Sequence, residues 1–142
     1  MFSFKRKPKQ FNQGKVIIPV GHPNPPEPHE EDVAKLLALH YGTTVEFIVP
    51  IDDYKRKSAD IIMNGMEWEI KCPIGASKST IENQFRAASK QAKNIIMDTR
   101  MTKMKYKDIE RKVLFELKNR PSMKKVNKVI LINKQKLVVE IL

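Results

Sequence analysis

Apolar and polar positions along the 142-residue chain change period several times, and each change marks an element. Val16-Ile17-Ile18 is the centre of a short strand. Pro23, Pro25, Pro26 and Pro28 then make 21–28 an extended connector, because proline lacks the N–H that a helix or interior strand needs. A helix follows over 29–41, with acidic Glu30, Glu31 and Asp32 in its first turn, where the helix dipole favours them. Val33, Leu36, Leu37 and His40 give it an apolar stripe, and Gly42 closes it. The β-branched run 43–49 ends at Pro50 and predicts a strand, and a loop over 51–57 leads on from it. Beyond Pro73 and Gly75, helical spacing of Ile81, Phe85, Ala88 and Ala92 predicts a helix over 80–93. An apolar strand over 94–98 and a basic amphipathic helix over 107–118, with Ile109, Val113 and Leu117 inward, come next. Strands over 126–133 and 136–142 close the chain. A mixed central sheet flanked by helices, an α/β (α+β) fold, is the natural packing of this order.

The segment between the 51–57 loop and Pro73 carries the chemistry. Asn64-Gly65 is a two-residue hairpin signal, and counting outward from it sets the register. Met63 faces Met66, Ile62 faces Glu67, Ile61 faces Trp68, and Asp60 falls opposite Glu69. Alternation puts Glu67, Glu69 and Lys71 on the face that carries Asp60, while Ile61, Trp68 and Ile70 turn to a core. Carboxylates directly opposed across a sheet repel. A divalent cation between Asp60 and Glu69 removes that penalty, since Mg²⁺ takes oxygen ligands at about 2.0–2.1 Å. Lys71 reaches the same point and can orient a water or offset charge on a phosphoryl group. The residues suit metal-assisted phosphodiester hydrolysis; the alternative is an exposed hairpin with an ordinary solvated face.

Charge narrows the partner. The formal net charge of +11 favours a polyanion, with nucleic acid first and an acidic protein second. Ten Lys/Arg lie between Met101 and Lys128, against Asp108, Glu110 and Glu116. Cys72 is the only cysteine, so no internal disulfide forms, and its position after Lys71 suits a small buried hydrophobe. His22, His29 and His40 are too scattered for a zinc site. No apolar run approaches membrane-spanning length, so no membrane insertion is expected. The N-terminal segment 1–14 is basic and reads as mobile, leaving 15–142 as a single domain.

Helix, three strands, helix, strand, with Asp on the second strand and Glu-x-Lys on the third, resembles the PD-(D/E)xK nuclease superfamily, a restriction-endonuclease-like core here covering about 29–98. Pro28-His29-Glu30, Val45-Glu46-Phe47-Ile48, Asp60, Gly65 to Lys71 and Gln91 to Asp98 resemble the C-terminal tRNA-nuclease domains of contact-dependent growth inhibition (CdiA-type) toxins. The resemblance implies a metal-dependent endoribonuclease that cleaves tRNA and acts as a toxin. It assigns the metal to Asp60 and Glu69 and catalysis to Asp60, Glu69, Lys71 and Glu30, with Glu31 as the neighbouring choice for the helix position. Ala59 stands where the superfamily has proline. Mg²⁺ is the implied ion, with Mn²⁺ or Zn²⁺ as substitutes. Gln91, Lys78, Arg86, Lys90 and Glu67 are the auxiliary or nucleic-acid-binding positions, with Lys93 beside them. An acidic immunity protein is the implied inhibitor, and the site of action is the cytoplasm of a target bacterium reached as part of a larger toxin. The alternatives are a DNA nuclease of a mobile element or phage and a non-catalytic nucleic-acid-binding module.

Overall fold

The structure, a computed structural model, describes residues 14–20, 25–49 and 59–142. The connector at 21–24, the loop at 51–57 and the basic segment 1–13 lie outside the described residues. The chain runs β1 (Lys15–Ile17), α1 (Pro28–Tyr41), β2 (Thr44–Phe47), β3 (Ile61–Met63), β4 (Met66–Lys71), α2 (Lys78–Gln91), β5 (Asn94–Asp98), α3 (Tyr106–Asn119), a 3₁₀ turn (Pro121–Lys125), β6 (Lys128–Ile132) and β7 (Val138–Glu140). Among the described residues seven strands form one mixed sheet whose spatial order follows the chain order, β1 to β7. The β1–β2, β4–β5 and β5–β6 pairs are parallel, and the rest are antiparallel.

The hairpin register is the expected one: Met63 pairs Met66, Ile62 pairs Glu67 and Ile61 pairs Trp68. Asn64 and Gly65 both take positive φ, 54° and 74°, as a tight turn with that twist requires. The strand over 94–98 is found at the predicted bounds and is buried at all five positions, because helices cover both sheet faces.

Helix α1 lies on one face, with Val33, Ala34, Leu37 and Ala38 packed against Val45, Phe47, Ile61, Trp68 and Ile70. Its inward stripe is therefore built with two alanines, and His40 is exposed where the periodicity placed it inward. The His40 ring instead meets Tyr41 edge-on at 4.6 Å. The sheet curls around this helix, so that Tyr41 on α1 donates to Glu140 on β7. On the other face, Ile81, Phe85 and Ala88 of α2 and Ile109 and Val113 of α3 cover Ile95, Met97, Val129 and Leu131. Each such large apolar side chain contributes roughly 1.5–3 kcal/mol when fully buried.

Helix α2 starts two residues earlier than predicted, because Ser77 Oγ accepts from Thr80 N–H and caps it. It ends at Gln91, leaving Ala92 outside as the C-cap. Glu116, one of the few acids of the basic segment, is 2% exposed. It is held by Arg86 at 3.3 Å and Arg120 at 2.8 Å, which ties α2 to α3. Among the described residues no helix is long and apolar enough to cross a membrane.

Gly14 precedes β1 at φ 80°, and a Cβ there would stand 2.2 Å from the Ala38 carbonyl oxygen and 2.4 Å from that of Thr43. Gly65 has φ 74° but open space around it. We expect Gly14→Ala to destabilise by more than about 2 kcal/mol, since backbone must move, and Gly65→Ala by about 1 kcal/mol from conformational strain alone. Urea unfolding of the two variants checks the order.

Candidate functional site

The chemistry gathers where the β3–β4 ladder is interrupted. Asp60 stands one residue before β3. Its N–H donates to the Trp68 carbonyl at 2.9 Å, although Trp68 is already the partner of Ile61. Two residues thus face one, a local bulge. The Asp60 carboxylate then takes the next donor of β4 itself: Ile70 N–H donates to Asp60 Oδ2 at 2.8 Å. The direct Asp60–Glu69 backbone pairing predicted by counting is therefore replaced. A short acidic side chain competes well for a neighbouring N–H, and here it displaces the ladder. The Asp60 carbonyl accepts from Ile48 N–H at 2.9 Å, which anchors the bulge from beyond β2.

The two carboxyl groups nonetheless lie close enough for each to shift the titration of the other. Glu69 is 4% exposed, under α2. Its Oε2 pairs with Lys71 Nζ at 3.4 Å, and its Oε1 is buried without a partner. Burial and then the neighbouring Asp60 charge push the Glu69 carboxyl up to about 8, against the opposing pull of Lys71. Burial also raises Asp60, and the charge of Glu30 adds to it, while the Ile70 N–H works the other way. Glu30 lies in the first turn of α1, and its Oε1 accepts from Glu27 N–H at 2.9 Å in a capping box. Glu31 is not among the charges that shift Asp60.

Asp60, Glu69 and Lys71 are thus brought together, with the charge of Glu30 within range. The other sequence candidates have the following surroundings. Arg86 is spent on Glu82 and Glu116, each at 3.3 Å. Lys90, Lys93 and Glu67 are exposed, and Glu67 offers its carbonyl to Asn94 Nδ2 at 3.0 Å. Gln91 is the half-exposed last residue of α2. The Lys78 side chain lies outside the described residues.

A polar network beside the site was missed. Arg100 grips Asp98 with Nε and Nη2, both at 2.9 Å, and reaches Asp32 on α1 at 2.6 Å. Asp98 is 1% exposed. An acid ending the apolar run Ile95-Ile96-Met97, with an arginine two residues on, was the available signal. Cys72 touches Asp98 at 4.0 Å and is half-buried, not fully buried. Burial and Asp98 push its thiol up to about 11, which suits an inert thiol.

The oxygen donors here fit the chemistry of a divalent cation. Glu69 Oε1 has no donor, Asp60 and Glu69 converge, and Mg²⁺ is commonly bound through one or two carboxylates with water and substrate phosphates completing its shell. Among the described residues no three or more His, Cys, Asp or Glu come together as a group that could hold a metal ion, so the fit rests on the Asp60 and Glu69 carboxylates alone.

Residues 57–138, more than half of the chain, match the family described as the contact-dependent growth inhibition CdiA C-terminal domain. No curated protein matches. Among solved structures the chain is similar to a CdiA-CT/CdiI toxin and immunity complex from Burkholderia pseudomallei, with a TM-score of 0.63 and 21% identity. The similarity covers 89% of this chain and 98% of that one, and it is a likeness of fold.

Glu69 keeps its proton to about pH 8 when folded but loses it near 4.5 when unfolded, so folding takes up a proton between those values. Stability then falls as pH rises through that window. Glu69→Gln removes the charge and keeps the shape. In EDTA it should be more stable than the parent by about 1–3 kcal/mol at pH 8.5 and unchanged at pH 4.5. Thermal unfolding at both pH values measures this, and equal stability at pH 8.5 would rule out the buried-charge account.

Proposed function

The chain belongs to the contact-dependent growth inhibition CdiA C-terminal domain family, the toxin portion of larger bacterial proteins, and from that footing we propose that it is a metal-dependent endoribonuclease that cleaves tRNA. One observation carries the chemistry. Glu69 is buried beside Asp60, keeps one oxygen without a donor, and has a lysine ammonium 3.4 Å from the other. A purely structural hairpin has no use for that expense.

Asp60 and Glu69 would hold the cation, which when bound supplies Lewis-acid stabilisation of the phosphate and lowers the pKa of a coordinated water. The chain's own groups set the stage. Ile70 N–H fixes the Asp60 carboxylate, so that ligand is oriented before substrate arrives. Lys71, 22% exposed, reaches solvent and can bind the scissile phosphate. Its positive charge offsets the charge that grows on the nonbridging oxygens. Glu30, in the first turn of α1, adds negative potential at Asp60 and strengthens the site's preference for a cation. The chain order α1, β2, β3, β4, α2 and β5 is consistent with the PD-(D/E)xK reading and supports this assignment.

tRNA as substrate rests on the resemblance of residues 28–98 to the CdiA-type tRNA-nuclease domains, and the net charge of +11 suits any polyanion. The toxin acts in the cytoplasm of a target cell. By analogy with the toxin and immunity complex that shares its fold, an acidic immunity protein is its inhibitor.

Purified protein with total tRNA and Mg²⁺ should release discrete fragments. EDTA or Glu69→Ala should abolish them, and Lys71→Ala should slow cleavage by about 10²–10³-fold. Intact tRNA beside cleaved duplex DNA would replace the substrate; cleavage that survives both EDTA and Glu69→Ala would refute the site.

A further inference from the structure

Among the described residues several cations are already committed to buried or neighbouring carboxylates. Arg86, Arg111, Lys112 and Arg120 are paired with Glu82, Asp108 or Glu116, and Arg100 with Asp98 and Asp32. A set of lysines remains at the carboxyl edge of the parallel strands. There a cleft of about 480 Å³ opens between the start of α3 and the β6–β7 turn. Lys105, Lys107 and Lys134 line it together with Tyr106, Asn133 and Glu110.

Three cations face one carboxylate in this cleft. Glu110 is itself occupied, since Tyr106 donates to it at 3.0 Å and Lys107 lies 3.5 Å away. Lys134 donates to the Thr99 carbonyl at 2.6 Å and also to that of Thr102. An ammonium has three donors, so one remains for a ligand while the other two fix the 99–102 loop against the turn. Asn133 Oδ1 accepts from Gln135 and Leu137 N–H, each at 2.9 Å, and holds the turn in shape. On that turn Lys136 adopts φ 66°, a conformation that favours glycine, yet presents an exposed cation.

The cleft shares its edge with the candidate site. Lys71 pairs with Met97 on β5, and Met97 with Leu131 on β6. Adjacent strands are about 4.8 Å apart, so the end of β6 lies about 10 Å from that of β4 along the edge. A polynucleotide lying along this edge passes Lys71 and then the three lysines.

We infer that the cleft lined by Lys105, Lys107 and Lys134 is a second phosphodiester-backbone site, holding the RNA strand beyond the scissile phosphate. Contacts of this kind set position and affinity without reading sequence, and their signature is salt dependence. The inference rests on the nuclease reading for its substrate, but not for its test.

Binding of fluorescent tRNA is followed by anisotropy in EDTA across a salt series, so that no cleavage intervenes. Lys105→Gln/Lys107→Gln should weaken binding about tenfold and reduce the slope of log K against log salt by about 2. Charge reversal, Lys105→Glu/Lys107→Glu, gives a second reading at the same two exposed positions: thermal unfolding should match the parent while binding weakens further than in the glutamine variant and the slope falls at least as much. Unchanged affinity and slope in both variants would overturn the inference, whether or not the parent cleaves tRNA in Mg²⁺. A parent that cuts nothing, yet loses binding in these variants, would keep the cleft and discard the nuclease. Loss of affinity without a change in slope would also overturn it, because no phosphate contact would have gone.

Discussion

The Asp60 carboxylate accepting the Ile70 N–H is the contact on which the site depends. A regular hairpin would use a backbone carbonyl there and keep its strands zipped. By substituting a side chain for main chain, the fold opens the ladder and aims a carboxylate with the same bond. That bond also offsets part of the cost of placing Asp60 near Glu69, since it favours the ionised form. Remove it and both strand spacing and carboxylate orientation are lost together.

Around that contact the molecule is arranged to keep Glu69 dry while leaving Lys71 wet. Helix α2 covers Glu69 from one face, and Trp68 and Ile70, its neighbours on β4, are clamped by α1 from the other. Two apolar layers on opposite faces leave the strand no freedom to turn its acid outward. The result is a buried carboxyl group that burial and Asp60 keep protonated well above the usual carboxylate range, one residue away from groups that ordinary packing holds rigid. The Arg100–Asp98–Asp32 bridge then fixes the tip of α1, where Glu30 sits, to the end of β5.

Much of this was legible in the chain because it is local. Asn64-Gly65 dictates the hairpin, and alternation from it places Glu69 and Lys71 on one face. The order of helices and strands follows from periodicity and from breakers such as Pro50 and Pro73. What counting could not reach is competition between groups distant in sequence or unlike in kind. The bulge at Asp60 arises because a side chain outbids a carbonyl, which no alternation rule contains. The commitment of Arg86 to Glu116 joins residues on two helices, so a cation that looks free on a helical wheel is spent. The 3₁₀ turn at Pro121–Lys125 and the exposed His40 are decided by tertiary fit, and His40 yields its inward place to Ala34 and Ala38, which let α1 approach the sheet closely.

The order of strands in the sheet is also the order in which they occur along the chain. Every strand therefore joins at an edge that the preceding one has just created, and none must be threaded between two that are already paired. Loop-closure costs stay small at each step, and no half-built sheet waits with an internal gap for a distant segment. A chain wired in this way can regain its sheet from either end by simple addition, which limits the time its unpaired edges stand open to other chains.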